Sequence, residues 1–186
     1  EPSKRKEAEG LFGLEPLEFA IARTDDMMDR ILNDTSSSEY RFFLSGKGNF
    51  RYKLFPEYKA NRKDKPRPTH LPAVQEYCEQ RWNGEWTSGY EADDAIGIHS
   101  GSGTVVCSID KDLRQIPGKY YHIVDATLTT IDNDEAIRTL YYLMLVGDSA
   151  DGITGVYGIG RTKAPRIINS FPDVADLHLH VKELYG

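Results

Sequence analysis

An α/β fold, with a mainly parallel central sheet flanked by helices and a helical C-terminal region, is the class this 186-residue sequence predicts. Three observations predict it. Thr104–Ile109 (TVVCSI) is a nearly continuous β-branched and apolar run, the pattern of a strand buried on both faces in a parallel sheet. Strand-like runs alternate with segments whose apolar residues recur every three or four positions. Beyond Gly147 only glycine-rich and helical patterns remain.

The elements follow in order. Leu14, Leu17, Ile21, Thr24, Met28, Ile31 and Leu32 share one helical face, with Pro16 near its start. Tyr40–Leu44 (YRFFL) reads as a short strand between a serine run and Gly46 and Gly48. Residues 45–70 are basic, aromatic and irregular, and Pro66, Pro68 and Pro72 limit helix there. Leu71–Trp82 reads as a helix with Pro72 in its first turn, and Glu91–Ser100 as a shorter one. Lys111–Ile116 suits one helical turn, and Tyr120–Val124 and Thr127–Ile131 alternate like strands. Asp132 and Glu135 form a capping-box signature for a helix reaching about Val146. Helices near Thr162–Asn169 and Pro172–Leu184 complete the chain. The expected division is a core over 1–147, with a basic clamp at 46–90, and a helical region over 148–186.

Only YRFFL and TVVCSI read as parallel strands, and no strand precedes the first helix. Segments are therefore expected to be missing before Glu1 and near residues 100–103 and 124–127, where Asp125-Ala126 makes a poor two-residue hairpin turn.

Composition narrows the function classes. The longest apolar run, Leu140–Val146, is far shorter than the ~20 residues a spanning helix needs. Cys78 and Cys107 form no disulfide framework and point to a reducing, cytoplasmic compartment. No Cys/His pattern has zinc spacing. The net charge of −6 conceals a strong asymmetry. Lys47–Arg67 carries eight basic residues against two acids, whereas Glu91–Asp151 carries eleven acids against four bases. Such a pairing fits a phosphate-binding surface beside a carboxylate cluster; two solvated faces of opposite sign fit it as well.

Three acidic groups stand out. Glu91, Asp93 and Asp94 open a helix, Asp110 and Asp112 follow TVVCSI, and Asp148 and Asp151 lie three apart, sharing one face if that stretch is helical. Loops at the carboxyl ends of parallel strands gather functional groups along one sheet edge. Converging carboxylates repel one another unless cations intervene, and Mg²⁺ prefers oxygen ligands. Two such ions can serve phosphodiester hydrolysis. Singly, each group has an ordinary explanation in a helix dipole or a turn. The pattern does not separate a nuclease from a phosphatase.

Gly155-Val156-Tyr157-Gly158-Ile159-Gly160, followed by Thr162 and Lys163, places glycines before a helix, where backbone N–H groups can meet phosphate. That is the logic of a helix–hairpin–helix holding DNA without reading its sequence. Tyr58, Lys59 and Arg62 join an aromatic ring, able to stack on a base, to cations suited to phosphate; Lys47 and Arg51 lie in the same basic stretch.

Five segments, in order, resemble the 5′-nuclease family of bacteriophages and bacteria, the flap endonucleases and 5′→3′ exonucleases, with the nearest likeness to phage-type exonucleases. They are GKGNFR (Gly46–Arg51), PEYKANR (Pro56–Arg62), YEADDAIG (Tyr90–Gly97), CSIDKDL (Cys107–Leu113) and VGDSADGITGVYGIG (Val146–Gly160). The resemblance implies a PIN-like α/β core with a C-terminal helix–three-turn–helix and a clamp or arch over the active site. It implies that Glu91, Asp93, Asp94, Asp110, Asp112, Asp148 and Asp151 bind Mg²⁺, with Mn²⁺ as a substitute. Lys59 and Arg62 would contact the scissile phosphate, and the backbone of Gly155, Val156, Gly158, Ile159 and Gly160 would hold duplex DNA, with K⁺ a candidate there. The implied partner is DNA with 5′ ends, flaps or single-strand/duplex junctions, met by a monomer in the cytoplasm, that of the host if phage-encoded. The sequence departs from the family in its ligands, with no opening strand ending in an Asp ligand and no Asp before the Lys-Gly pair in Ser45-Gly46-Lys47. The 28 residues between Arg62 and Glu91 also leave little room for a closed arch and favour an open clamp, and Pro165 removes an N–H donor early in the helix after the hairpin. A non-catalytic DNA-structure-binding module and a related RNase therefore stand as alternatives.

Overall fold

A computed structural model describes residues 14–62 and 65–186. The polar segment Glu1–Gly10 lies outside the described residues. The chain divides into two compact units, one ending at Leu44 and resuming over Arg67–Glu85, the other formed by Ser45–Pro66 and Trp86–Gly186. The packing thus divides the chain elsewhere than at 147/148, because the last helices share a core with the segment before them.

In the first unit, helix α1 (Leu17–Thr35) buries Thr24, Met28 and Ile31, three residues at four- and three-residue spacing. Ser36, at φ 52°, ends it in the left-handed conformation. Strand β1 is only Phe43–Leu44, shorter than YRFFL suggested. Its ladder is short because strand β2 (Glu85–Trp86) also has two residues; the Glu85 N–H donates to Phe42 O at 2.7 Å. Between them in sequence, α2 (Arg51–Leu54) belongs to the second unit and α3 (Leu71–Arg81) to the first. The Asp25 carboxylate on α1 accepts from Tyr77 Oη at 2.7 Å and Trp82 Nε1 at 2.8 Å, tying α1 to the end of α3.

In the second unit, α4 (Ala92–His99) precedes β3 (Val105–Ser108), and β4 (Gly118–His122) and β5 (Thr127–Ile131) follow. The sheet order is β3-β4-β5. β3 runs parallel to β4, from Val105↔Lys119 to Ser108↔His122, and β4 antiparallel to β5, from Gly118↔Ile131 to His122↔Thr127. This corrects the expectation of a mainly parallel sheet with TVVCSI inside it. Among the described residues β3 sits at the sheet edge, and only Val106 of its four residues is buried. The two strand pairs differ in direction because their connections differ. A single 3₁₀ turn, Lys111–Gln115, carries the chain back in the same direction, whereas a hairpin reverses it.

Both internal junctions are continuous turns. The Thr104 N–H donates to Gly101 O at 3.1 Å, and Gly103 takes φ +86°. The hairpin loop runs over Ile123–Ala126, longer than the two residues read from the sequence, with Ala126 at φ 51° and the Asp125 carboxylate 2.9 Å from His122 Nδ1.

Helix α5 (Asn133–Val146) starts where the sequence placed it, with Asp132 accepting from the Glu135 N–H at 2.8 Å. Its Ala136 joins Val106, Leu113, Tyr120 and Ile131 in one core cluster. Its Leu145 lies in a second cluster, with Ala164 and Ile168 of α6 (Ala164–Ser170) and Leu177 and Val181 of α7 (Val174–Leu184). The short strands β6 (Gly147–Asp148) and β7 (Ile153–Thr154) pair antiparallel directly after α5. No helix among the described residues is long and apolar enough to cross a membrane.

Candidate active site

An open groove of about 1020 Å³ in the second unit is lined by all seven acids singled out in the sequence. Each reaches it from the end of an element. Glu91 is the N-cap of α4, and Asp93 and Asp94 lie in its first turn. Asp110 caps the 3₁₀ turn after β3, its Oδ1 accepting from the Asp112 N–H at 2.9 Å. Asp148 ends β6, its Oδ1 accepting from the Ala150 N–H at 2.8 Å. Asp151 follows on a turn, its N–H donating to Asp148 O at 3.2 Å. Asp148 and Asp151 therefore meet through a turn, not as one helical face.

The basic stretch lies along the same groove. Lys59 Nζ stands 2.6 Å from Glu91 Oε1 and 3.6 Å from Asp151 Oδ2. Arg62 pairs with Asp151 at 2.5 Å and donates through Nε to Ala150 O at 3.0 Å. Asn61 Nδ2 donates to Ser149 O, and the Lys59 N–H to Asp151 O, both at 2.9 Å. Four hydrogen bonds and the Lys59–Asp151 ion pair thus lay residues 59–62 against the loop 149–151. Lys59 itself holds φ 54°, a left-handed conformation that a side chain strains.

The electrostatics follow from these placements. Burial pushes the Glu91 carboxyl up, but hydrogen bonds from Lys59 and Tyr58 outweigh it and hold the group below its ordinary value. Asp93 has no such partner. Although open to solvent it is surrounded by the groove wall, and desolvation, then the charges of Asp110 and Glu91, raise its pKa. Asp112 is raised likewise, by desolvation first and then by Asp110. Its Oδ1 is buried with no hydrogen-bond partner among the described residues, so this carboxylate has a lone pair left for a cation.

The acids stand without a preformed ligand set, and three other expectations meet a different arrangement. The seven acids share a groove, yet no three His, Cys, Asp or Glu side chains among the described residues form a ligand set. The reason is local: Glu91, Asp94 and Asp151 turn toward cations of this chain, and Asp110 and Asp148 toward N–H groups. Tyr58 is not a stacking platform; it is 3 % exposed, with its hydroxyl against Glu91 and Asp151. Arg51 is not a free phosphate contact, since both its terminal nitrogens bind the Asp94 carboxylate, at 2.6 and 2.7 Å. The glycine segment offers fewer donors than expected. The Val156 N–H donates to Leu145 O at 2.9 Å and the Ile159 N–H to Val156 O at 3.0 Å, closing a turn around Gly158 at φ +75°. Gly155 serves close packing, because a Cβ there would stand 2.3 Å from Leu145 O. Gly158 and Gly160 have open space beside them, and Thr162, Lys163 and Lys47 are exposed.

Two polar residues escaped the sequence reading. Ser45 Oγ accepts from the Ala92 N–H at 3.0 Å, at the start of α4. Buried Asn49 accepts from the Arg51 N–H at 3.0 Å, while the Phe50 N–H donates to Gly89 O at 2.8 Å. The GKGNFR segment therefore braces the turn ahead of Glu91. Asn49 directly after Gly48 was the available signal.

The Arg51–Asp94 pair carries a prediction about acid stability. The guanidinium lowers the Asp94 carboxyl below its usual range, an effect that exceeds desolvation. A lowered folded-state pKa contributes stability that is complete above the unfolded value, near pH 4, and lost as the pH falls through the folded value. Asp94→Asn is expected to cost about 1–2 kcal/mol at neutral pH. It should also flatten the decline in melting temperature below about pH 4, as scans from neutral to acid pH would record.

Comparisons with known proteins point one way. A family model described as 5′-3′ exonuclease, N-terminal resolvase-like domain, matches residues 17–141. A DNA polymerase I of Bacillus caldotenax is 30% identical over 184 residues, covering 86% of this chain and 21% of the polymerase. Flap endonuclease Xni of Shewanella sediminis is 27% identical, with 73% of this chain and 60% of that protein covered. A 5′-3′ exonuclease of Buchnera aphidicola subsp. Schizaphis graminum is 28% identical, with 84% and 62% covered. The chain thus spans between about a fifth and three fifths of these relatives' lengths. In fold it matches the zinc-bound T5 5′-exonuclease, with a TM-score of 0.65, 21% identity, and 92% of this chain and 73% of that one covered. It also matches a bacteriophage T5 flap endonuclease pseudo-enzyme-product complex with DNA and metal ions, with a TM-score of 0.59, 22% identity, and 83% and 68% covered.

Proposed function

Because the chain belongs to the 5′-3′ exonuclease family through its N-terminal resolvase-like domain, we propose that it is a divalent-metal-dependent 5′-nuclease hydrolysing phosphodiesters at the 5′ ends or flaps of DNA. One observation carries the reading: acids from three separate segments and three cations of a fourth, Arg51, Lys59 and Arg62, line a single groove. The donor set fits a hard cation, being all carboxylate, and Asp112 Oδ1 is buried without a partner among the described residues. Asp110, Asp112, Asp148 and Asp93 would hold one or more Mg²⁺ or Mn²⁺ ions, joined by Glu91, Asp94 and Asp151. Such an ion supplies a Lewis acid that favours deprotonation of water and offsets charge on a phosphodiester.

The chain's own residues do the rest. Lys59 and Arg62, fixed against loop 149–151, present positive charge to the scissile phosphate as its charge grows. Gly158, Gly160, Thr162, Lys163 and Lys47 meet the backbone of the duplex without reading bases. Residues 148–186 act as the helix–three-turn–helix, with K⁺ a candidate at the turn, and the working state is a cytoplasmic monomer. A second reading, DNA binding without cleavage, draws on the absence of a ready ligand set among the described residues.

A panel of labelled substrates tests the proposal: 5′-flapped duplex, single strand, the matching RNA and a phosphate monoester, each with Mg²⁺. Cleavage of the flapped duplex near its 5′ end, well above the RNA and the monoester, is expected. Binding without cleavage would select the second reading, and preference for RNA would point to an RNase.

A further inference from the structure

Among the aromatic residues of the basic stretch, Phe50, Tyr52 and Phe55 are exposed, whereas Tyr58 is buried. Its ring meets Tyr52 edge-on, with centroids 5.6 Å apart. Its hydroxyl lies 2.8 Å from Glu91 Oε2 and 2.9 Å from Asp151 Oδ2. Those carboxylates come from different elements, the N-cap of α4 and the turn after β6. A phenol has one proton, so it donates to one carboxylate at a time while two anionic oxygens crowd it. The next residue meets that excess charge, with Lys59 Nζ reaching both carboxylates. The two residues thus approach one carboxylate pair from the protein interior and from a strained turn.

We propose that Tyr58 is a positioning residue for the divalent-metal site: its buried hydroxyl keeps the Glu91 and Asp151 carboxylates at one point of the groove, where both would be at hand to hold a cation. The inference rests on the metal-binding role proposed for those two acids. It makes Tyr58 a group that orients ligands through hydrogen bonds, and it explains why an aromatic residue in a basic, otherwise exposed stretch turns inward. Partners of this kind commonly alter metal affinity by ~10–100-fold.

The test is Mn²⁺ titration by calorimetry on wild type, Tyr58→Phe, Asp151→Asn and the double variant, with melting measured in chelator to confirm folding. Tyr58→Phe keeps the ring and removes only the hydroxyl. Its Mn²⁺ affinity is expected to fall about tenfold, with a smaller loss when the same change is made in Asp151→Asn, because only Glu91 then remains for the hydroxyl to position. Tyr52→Leu, which removes the neighbouring ring and keeps the hydroxyl, should retain wild-type Mn²⁺ affinity. An affinity for Tyr58→Phe within twofold of wild type would overturn the inference and leave the proposed function standing. So would an equal loss in both backgrounds, or a loss matched by Tyr52→Leu. Wild-type protein that binds no Mn²⁺ would overturn both.

Discussion

Asp110→Asn is expected to abolish cleavage of a 5′-labelled duplex while leaving affinity for that duplex close to wild type. The residue follows β3 at the strand's carboxyl end and lines the groove. An amide at this position can still accept from the Asp112 N–H, so the 3₁₀ turn should keep its cap. What it loses is the negative charge that draws a cation beside Asp93 and Asp112, whose pKa values Asp110 raises. The loss in rate should exceed the ~10–100-fold that follows removal of an outer partner of a metal ligand. The surfaces proposed to hold duplex, at Lys47 and at Gly158–Lys163, lie elsewhere in the chain and are untouched. Wild-type rates in this variant would remove Asp110 from the metal site.

Lys59→Ala should lower turnover by about 10²–10³-fold, because fixed charge aimed at a transition state is commonly worth about 3–4 kcal/mol. Lys59 is fixed in this sense. Its N–H is bound to Asp151 O, its Nζ lies between two carboxylates, and its backbone is strained. Lys65 is exposed. Lys65→Ala should weaken binding modestly and reduce the salt dependence by about one unit, with turnover retained. Single-turnover rates and binding isotherms over a salt series would separate the two. Equal effects from both variants would reduce the stretch to a generic basic surface.

What the sequence disclosed was local. The three-and-four spacing of Thr24, Met28 and Ile31 located α1, and Asp132 located the start of α5 within a residue. The groups of acids were legible because each ends an element, where capping chemistry and ligand chemistry use the same residue types. Pairings across the chain were not legible. TVVCSI reads as a strand buried on both faces, but its position at the sheet edge depends on β4 and β5, which no local pattern ranks. Tyr58 sits in a sequence that reads as a basic loop, and only the fold brings Glu91 and Asp151 within hydrogen-bond reach of its buried hydroxyl. Arg51 looks like a phosphate contact until Asp94, in the first turn of α4, pairs with it. Gly155 looks like a phosphate-cradle residue, yet the neighbouring Leu145 carbonyl is what demands glycine there.

The most direct test of the account follows the release of a 5′-labelled product from a flapped duplex incubated with the wild-type protein, in chelator and then with excess Mg²⁺. No product is expected in chelator, and prompt cleavage near the 5′ end once Mg²⁺ is present. Cleavage that persists in chelator, or firm binding of the duplex with no product at any Mg²⁺ concentration, would contradict the account.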